Sequence, residues 1–355
     1  MKLRFLTSTP LNFAQGSGTF AGIATLAAAL RGLGAKVELL APGVRLPVYT
    51  LTRLVFNEQL RHRPPEGCDV VVGFDMDGYR IAGRRGPLHI ASIKGVIADE
   101  LRFERGLTRL TMRVQAACER AHVRQADAVF TTSHYAARRL QQLYGITAVD
   151  AVIPEPIDLA RWRERFARNP AAPDPRKFTV LSVCRFYPRK RLDVLLEAAA
   201  RLRDEVRRLE VRIVGGGPQW PRLRRIWRRL RLEDTVVWLG DLSENELARE
   251  YQRADVFCLP SVQEGFGIVF LEAMAAGKPV IAARAAAVPE VVPHGVLVEP
   301  DNVAALAEGL GRLYADSQLR EKVAEEGVQW VQRFDAPKVA RRFLQEVETR
   351  LRSGT

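Results

Sequence analysis

VFCLPSVQEGFGIVFLEAMAAGKPVIA, residues Val256 to Ala282, leads from an apolar strand through a glycine-bearing turn into a helix. A second turn then returns it to another apolar strand. Two carboxylates, Glu264 and Glu272, flank the first turn, one in the loop and one about a turn into the helix. Gly265 and Gly267 carry no side chain, so a ligand can approach the backbone closely. The first N–H groups of the helix lack intrahelical acceptors, and the positive end of its dipole lies behind them. An anion flanked by hydroxylated rings suits such a turn. The amides hold the anion, and each carboxylate accepts hydrogen bonds from a pair of hydroxyls. A nucleotide sugar, with ribose, diphosphate and hexose, has that layout. A strand-turn-helix unit of an ordinary parallel sheet also accounts for the glycines.

The rest of the chain narrows the choice. At 355 residues it has length for two domains, each with its own core. No apolar run approaches the ~18 residues of a membrane span. The start, MKLRFLTSTPLNF, reads as a first strand and not a signal peptide. Cys68, Cys118, Cys184 and Cys258 are scattered without CxxC spacing. They read as small core residues in a reducing cytoplasm, with no metal or disulfide. The net charge of +13 is carried overwhelmingly by arginine and concentrated in the first half. It admits nucleic acid, an anionic membrane or a phosphorylated substrate as partner.

Apolar runs and helical periods alternate along the chain. Strand Lys2 to Thr7, an alanine-rich helix from Thr19 to Leu33 and strand Lys36 to Leu40 form a βαβ unit. Asp69 to Phe74, Leu88 to Ile93 and Ala128 to Thr132 read as further strands, with a long helix over Glu100 to Arg124. Three prolines interrupt RERFARNPAAPDPRKF, Arg163 to Phe178, and strand-helix alternation restarts after it. The expected organisation is a first Rossmann-like domain over 1–162, a linker over 163–177 and a second domain over 178–328. Helices over 329–355 are expected to pack back toward the first domain.

Two more motifs bear on chemistry. In CRFYPRKRLDVLLEAA, Cys184 to Ala199, Arg185 follows a strand and Lys190 precedes a helix. Cations at a strand's carboxyl end clamp a diphosphate and stabilise it as it departs. The neighbouring Arg189 and Arg191 leave a solvated charge run as the alternative. In QGSGTFAG, Gln15 to Gly22, Gly16 and Gly18 bring backbone amides to the first strand's end. The spacing is neither a dinucleotide fingerprint nor a Walker loop.

Together these motifs resemble the retaining GT-B glycosyltransferases known as glycosyl transferases group 1, most clearly from Phe178 to Val298. The resemblance implies an α/β fold of two doubly wound Rossmann-like domains facing across a cleft. It implies that Glu264 contacts the donor hexose and Glu272 the ribose. Amides of Phe266, Gly267 and Ile268 hold hexose and phosphate, and Arg185 and Lys190 bind the diphosphate. Gly216, in the loop after a strand, and the Gly16–Gly18 loop face the donor. The implied reaction moves a hexosyl unit to an acceptor hydroxyl with retention, in glycan, glycolipid or cell-envelope polysaccharide synthesis. The catalytic set is Arg185, Lys190 and Glu264. No cofactor beyond the donor substrate and no metal is expected.

One departure is Lys94, standing where the family often has a histidine. With Asp77 and His134 it reads as an acceptor-side candidate; Asp75 and Asp77 form a DxD for which Arg185 and Lys190 make a metal unnecessary. Arg102, Arg105, Arg109 and Arg113 recur at helical spacing, suited to anionic lipid headgroups. The expected acceptor is lipid-linked or phosphorylated, and the location cytoplasmic, peripheral at the membrane's inner face. A nucleotide-sugar epimerase of the same fold is the alternative enzyme. A basic nucleic-acid-binding protein is disfavoured, since no finger, RNP motif or basic-aromatic interleaving is present.

Overall fold

A computed structural model describes residues 1–9 and 18–353. The chain divides into two compact units, Met1–Pro156 with Ala336–Thr355, and Ile157–Asp335.

The strands of unit 1 are β1 (Lys2–Leu6), β2 (Lys36–Leu40), β3 (Val70–Phe74), β4 (Leu88–Ile93), β5 (Ala128–Thr131) and β6 (Ala151–Val152). They form one parallel sheet in the order β2-β1-β3-β4-β5-β6. Its helices are α1 (Gly18–Gly32), α2 (Tyr49–His62), α3 (Ile97–Glu100), α4 (Gly106–Gln125) and α5 (His134–Tyr144).

In unit 2 the helix α6 (Leu159–Arg168) precedes β7 (Phe178–Val183), α7 (Leu192–Leu202), β8 (Leu209–Val214), α8 (Trp220–Arg229), β9 (Val236–Gly240) and α9 (Glu244–Arg253). There follow β10 (Val256–Leu259), α10 (Ile268–Ala275), β11 (Val280–Ala283), α11 (Val288–Val291), β12 (Val296–Val298), α12 (Val303–Ala315) and α13 (Ser317–Val331). The second parallel sheet has the order β12-β11-β10-β7-β8-β9. The last helix, α14 (Ala336–Ser353), returns to unit 1.

Period-two alternation explains why these strands need helices on both faces. In β3 the side chains of Val70, Val72 and Phe74 join the core under α1 and α14, whereas Val71 points to Phe56 and Leu60 of α2. Every residue of β3 is buried. Val339, Ala340, Phe343 and Val347 of α14 complete the first of those cores.

Three differences from the sequence reading have clear causes. The expected linker begins inside α6, which Asp158 caps by accepting from the Arg161 N–H at 2.9 Å. Leu159, Trp162 and Phe166 repeat at i, i+3 and i+7 and pack on the core of unit 2, a period hidden by the surrounding charges. The long helix starts at Gly106, not Glu100, because a 3-10 turn over Leu101–Phe103 precedes it. Helix α2 escaped sequence reading: it lacks a side-chain N-cap, and Val48, Leu51 and Val55 stand exposed, blurring its amphipathic pattern. All four thiols are free. Among the described residues no helix is long and apolar enough to cross a membrane.

Candidate functional site

In unit 2 the strand order reverses direction between β7 and β10, neighbours at the centre of the sheet. Loops leaving the carboxyl ends of two such strands diverge and leave room for a ligand. Arg185 and Lys190 lie in the loop after β7, and Glu264 in the loop after β10. The two loops are tied together. Lys190 Nζ donates to Glu264 Oε1 at 2.6 Å, with both side chains largely buried. The Val262 N–H donates to the Arg189 carbonyl at 2.9 Å. An ammonium has three donors, so Lys190 keeps others for an anion.

The turn into α10 is shaped by Gly267, whose φ of 97° lies in the left-handed region. A Cβ there would also stand 2.6 Å from the Phe270 ring. Phe266 sends its ring into the core, 5.5 Å from the Phe334 centroid. The turn thus offers backbone to a ligand, ahead of helical N–H groups that have no acceptor within the helix.

Glu272 sits in the second turn of α10, where Oε2 accepts from the buried Tyr251 hydroxyl of α9 at 2.7 Å. Burial pushes the Glu272 carboxyl up to about 7, against the pull of Tyr251 and Arg165. Near neutrality the group is therefore poised between acid and carboxylate. Sequence spacing carries no sign of Tyr251, which comes from another element.

The loop after β8 closes against the same region. Gly215, at φ 113°, packs so tightly that a Cβ would fall 2.1 Å from the Cys184 carbonyl oxygen, just before Arg185. Gly216 has open space around it: a methyl group there would meet nothing within 4 Å. Arg185 donates to Asp241 Oδ1 at 3.1 Å, a partly exposed pair of little intrinsic worth. Asp241 is another residue to which the sequence gives no pointer. Thus Arg185, Lys190, Glu264, Phe266, Gly267 and Ile268 gather on adjoining loops, with Glu272 on the helix that follows.

Unit 1 revises the acceptor-side candidates. Asp77 is fully buried. Its carboxylate accepts from the Ser8 N–H and hydroxyl, both at 2.7 Å, from Asn57 at 3.1 Å and from Arg53 at 3.4 Å. These bonds occupy it as a structural hub joining β1, α2 and the turn after β3. Asp75 points elsewhere: it accepts from the Lys94 N–H at 2.8 Å, and burial raises its carboxyl to about 6 despite Arg53. Lys94 Nζ pairs with Glu155 at 3.1 Å, both side chains 5% exposed, and lies 5.5 Å from the Phe74 ring centroid. Lys94 is therefore an internal ion-pair partner, placed there because a buried ammonium needs a countercharge.

His89 and His122 are buried with their Nε2 atoms 2.9 Å apart. Burial lowers them to about 3 and about 4, so both are neutral. His122 Nδ1 lies 2.6 Å from the Asp75 carbonyl, an acceptor only. Nδ1 must then carry the proton, and His122 Nε2 accepts from His89. His134 is exposed at the first position of α5, next to the N-cap Ser133. Gly18 opens α1, and Gly16 lies outside the described residues. Among the described residues no group of three or more potential His, Cys, Asp or Glu ligands forms a metal site.

Comparison with known proteins bears on this arrangement. Residues 163–330 match the model of the family Glycosyl transferases group 1, which spans the loops just described. The chain is 33% identical over 223 residues to a GDP-mannose-dependent alpha-(1-6)-phosphatidylinositol monomannoside mannosyltransferase of Mycobacterium tuberculosis (strain ATCC 25618 / H37Rv). That alignment covers 58% of this chain and 57% of the relative. It is 34% identical over 232 residues to a D-inositol 3-phosphate glycosyltransferase of Streptomyces bingchenggensis (strain BCW-1), covering 61% and 51%. The chain thus spans a little over half the length of these curated relatives. Among solved structures, a sucrose-phosphate synthase of Thermosynechococcus elongatus aligns over 100% of both chains, with a TM-score of 0.83 and 21% identity. The fold is accordingly GT-B, built from two parallel six-stranded sheets with surrounding helices.

Proposed function

We propose that the protein is a glycosyltransferase of the glycosyl transferases group 1 family, moving a hexosyl unit from a nucleotide diphosphate sugar to an acceptor hydroxyl. The observation that carries the reading is the Lys190–Glu264 pair beside the Gly267 turn at the N-terminus of α10. Cations, free amides and a carboxylate converge there, at the reversal point of the second sheet. The family match over this unit supports the reading, as does the GDP-mannose dependence of the mycobacterial relative.

In this reading the diphosphate binds Lys190, Arg185 and the first N–H groups of α10, displacing Asp241 from Arg185. Glu264 accepts hydrogen bonds from the hexose, and the backbone of Phe266, Gly267 and Ile268 lines hexose and phosphate. Glu272 accepts from the ribose hydroxyls, while Gly216 leaves room for the nucleotide. The bond between anomeric carbon and phosphate oxygen lengthens, and the cations and helix N-terminus stabilise the departing diphosphate. The acceptor oxygen bonds to the anomeric carbon from the same face, and its proton passes to the departing phosphate oxygen. Configuration is retained without an enzyme nucleophile, a feature that rests on the resemblance. Since Arg185 and Lys190 supply the positive charge, the reaction is metal-independent, and chelators should leave its rate unchanged.

The test is a thermal-shift screen of nucleotide diphosphate sugars, followed by product analysis. A bound donor raises the melting temperature by mass action. Lys190→Ala should abolish that shift and lower transfer ~10²-fold or more. An unaltered shift in Lys190→Ala, or stabilisation by no nucleotide sugar, overturns the assignment. Recovery of an epimerised sugar instead of a transferred one identifies the epimerase.

A further inference from the structure

Most of the exposed large apolar residues of unit 1 fall on two helices. Leu107, Leu110 and Val114 stand out from α4, with Leu107 72% and Leu110 56% exposed. Their spacing of i, i+3 and i+7 puts them on one stripe of the helix. From Gly106 to Val114 no residue is buried; α4 meets the core only from Gln115 onward. Among the described residues this half of the helix thus buries no side chain, although helices in water depend on packing for most of their stability. The neighbouring α2 is packed through Phe56 and Leu60, but it exposes Leu51 and Val55, with Val48 at its N-cap. The two helices touch where Gln115 donates to the Thr50 hydroxyl at 2.6 Å and accepts from Arg53 at 3.1 Å. Leu51 and Val114 are the chain neighbours of that contact.

Charge on this half of α4 has one sign. Residues 105–118 contain no carboxylate. Arg105, Arg109 and Arg113 recur every fourth residue, all exposed, and none forms an ion pair among the described residues. Helix α8 offers an instructive contrast: Arg222, Arg224, Arg225, Arg228 and Arg229 cover its outer face, with no large apolar side chain exposed. A purely basic face is served by water or any polyanion. Exposed leucines beside unpaired arginines call for an apolar phase bordered by negative charge, and an anionic lipid interface supplies both.

We infer that the α2–α4 face of unit 1 docks on an anionic bilayer, the apolar side chains of both helices entering the interface and Arg105, Arg109 and Arg113 reaching the headgroups. Arginine stems are long enough to lie along the apolar surface while their guanidinium groups reach out. Docking stands on these exposures and charges alone, whatever unit 2 binds. If unit 2 acts on nucleotide sugars as proposed, the face would hold the enzyme at a membrane-borne acceptor.

The test is flotation of the full chain with phosphatidylcholine vesicles, with and without about 30% phosphatidylglycerol. Wild type should float with the anionic vesicles and not the neutral ones. Each arginine near the surface is worth about fivefold, so Arg105→Gln/Arg109→Gln/Arg113→Gln should lower partitioning about a hundredfold. Leu107→Gln/Leu110→Gln should remove the part of the binding that survives high salt, with an unchanged melting temperature. Arg224→Gln/Arg228→Gln on α8 should bind as wild type. A fluorophore on Leu110→Cys should shift to the blue on anionic vesicles, an assay independent of the leucine variant's folding. No flotation, binding retained by the leucine variant, or loss caused by the α8 variant overturns the proposal. So does a dimer in sedimentation that the leucine variant dissociates, which would assign the face to a second copy.

Discussion

Tyr251 shows how a single hydroxyl tunes a site it does not line. It donates to Glu272 and holds that carboxyl down against a burial effect that raises it to about 7. A raised acid is stabilising in its protonated form. The contribution is complete below the ordinary value near 4.5, and it is lost as pH rises through about 7. Donor binding as proposed should run the other way, because the ionised carboxylate is the better acceptor for ribose hydroxyls. Donor KM should therefore fall as pH rises through about 7. Tyr251→Phe should move that inflection to higher pH with little change in kcat, as measured from the pH profile of KM. Lys94 behaves differently, as half of a buried pair with Glu155. Lys94→Ala strands a buried carboxylate and should cost about 3–5 kcal/mol in denaturant unfolding. Replacing both partners by apolar residues, Lys94→Met with Glu155→Leu, should recover most of that loss. Sequence position alone put Lys94 at a strand end, where it was free to be a ligand contact. Its pairing with Glu155, 61 residues away, appears only in the fold.

Among elements, the turn into α10 and the loop after β8 carry the donor reading, and their glycines separate two roles. Gly267→Ala meets both a positive φ and the Phe270 ring. It should destabilise by about 1–3 kcal/mol in denaturant melts. Gly216→Ala meets no neighbour, so its stability should be within about 0.5 kcal/mol of wild type. Its loss should appear instead as weaker nucleotide affinity in titration calorimetry. The strand-turn-helix pattern around Glu264 was legible because glycine spacing, carboxylates and the apolar run all lie within one short segment. Helix α2 was not, since its buried face is largely polar: Arg53 and Asn57 serve the Asp77 hub and Thr50 accepts from Gln115, and hydropathy does not register such a face. Helix α6 was masked for another reason: its apolar anchors Leu159 and Trp162 stand among charged residues, just before a proline-rich segment.

Across the whole molecule, the chain crosses between units twice, at Pro156–Ile157 and at Asp335–Ala336. The crossings lie side by side, since Ile157 donates to the Phe334 carbonyl at 2.9 Å. The last helix thereby becomes part of the first unit's core. Phe343 packs edge-on to Phe5 and Phe130, with centroids 6.3 and 5.8 Å away. Phe343→Ala should cost about 3–5 kcal/mol and lower the unfolding transition of unit 1, followed by hydrogen exchange in β1 and β5. Comparable protection in β7 and β10 should remain, because that core contains no residue of α14.

The amino-acid sequence by itself determined the α/β class and most strand positions, and it marked the residues proposed for the donor side, because local period, glycine spacing and charge are properties of short segments. Tertiary structure alone decided which ionisable groups are available to a ligand. Asp77 and Lys94 became buried partners, Lys190 met Glu264, and Tyr251 met Glu272. Each pairing joins residues at least 20 positions apart. Charge and hydrogen-bonding state depend on burial and on neighbours through space, and neither is a property of a residue's place in the chain.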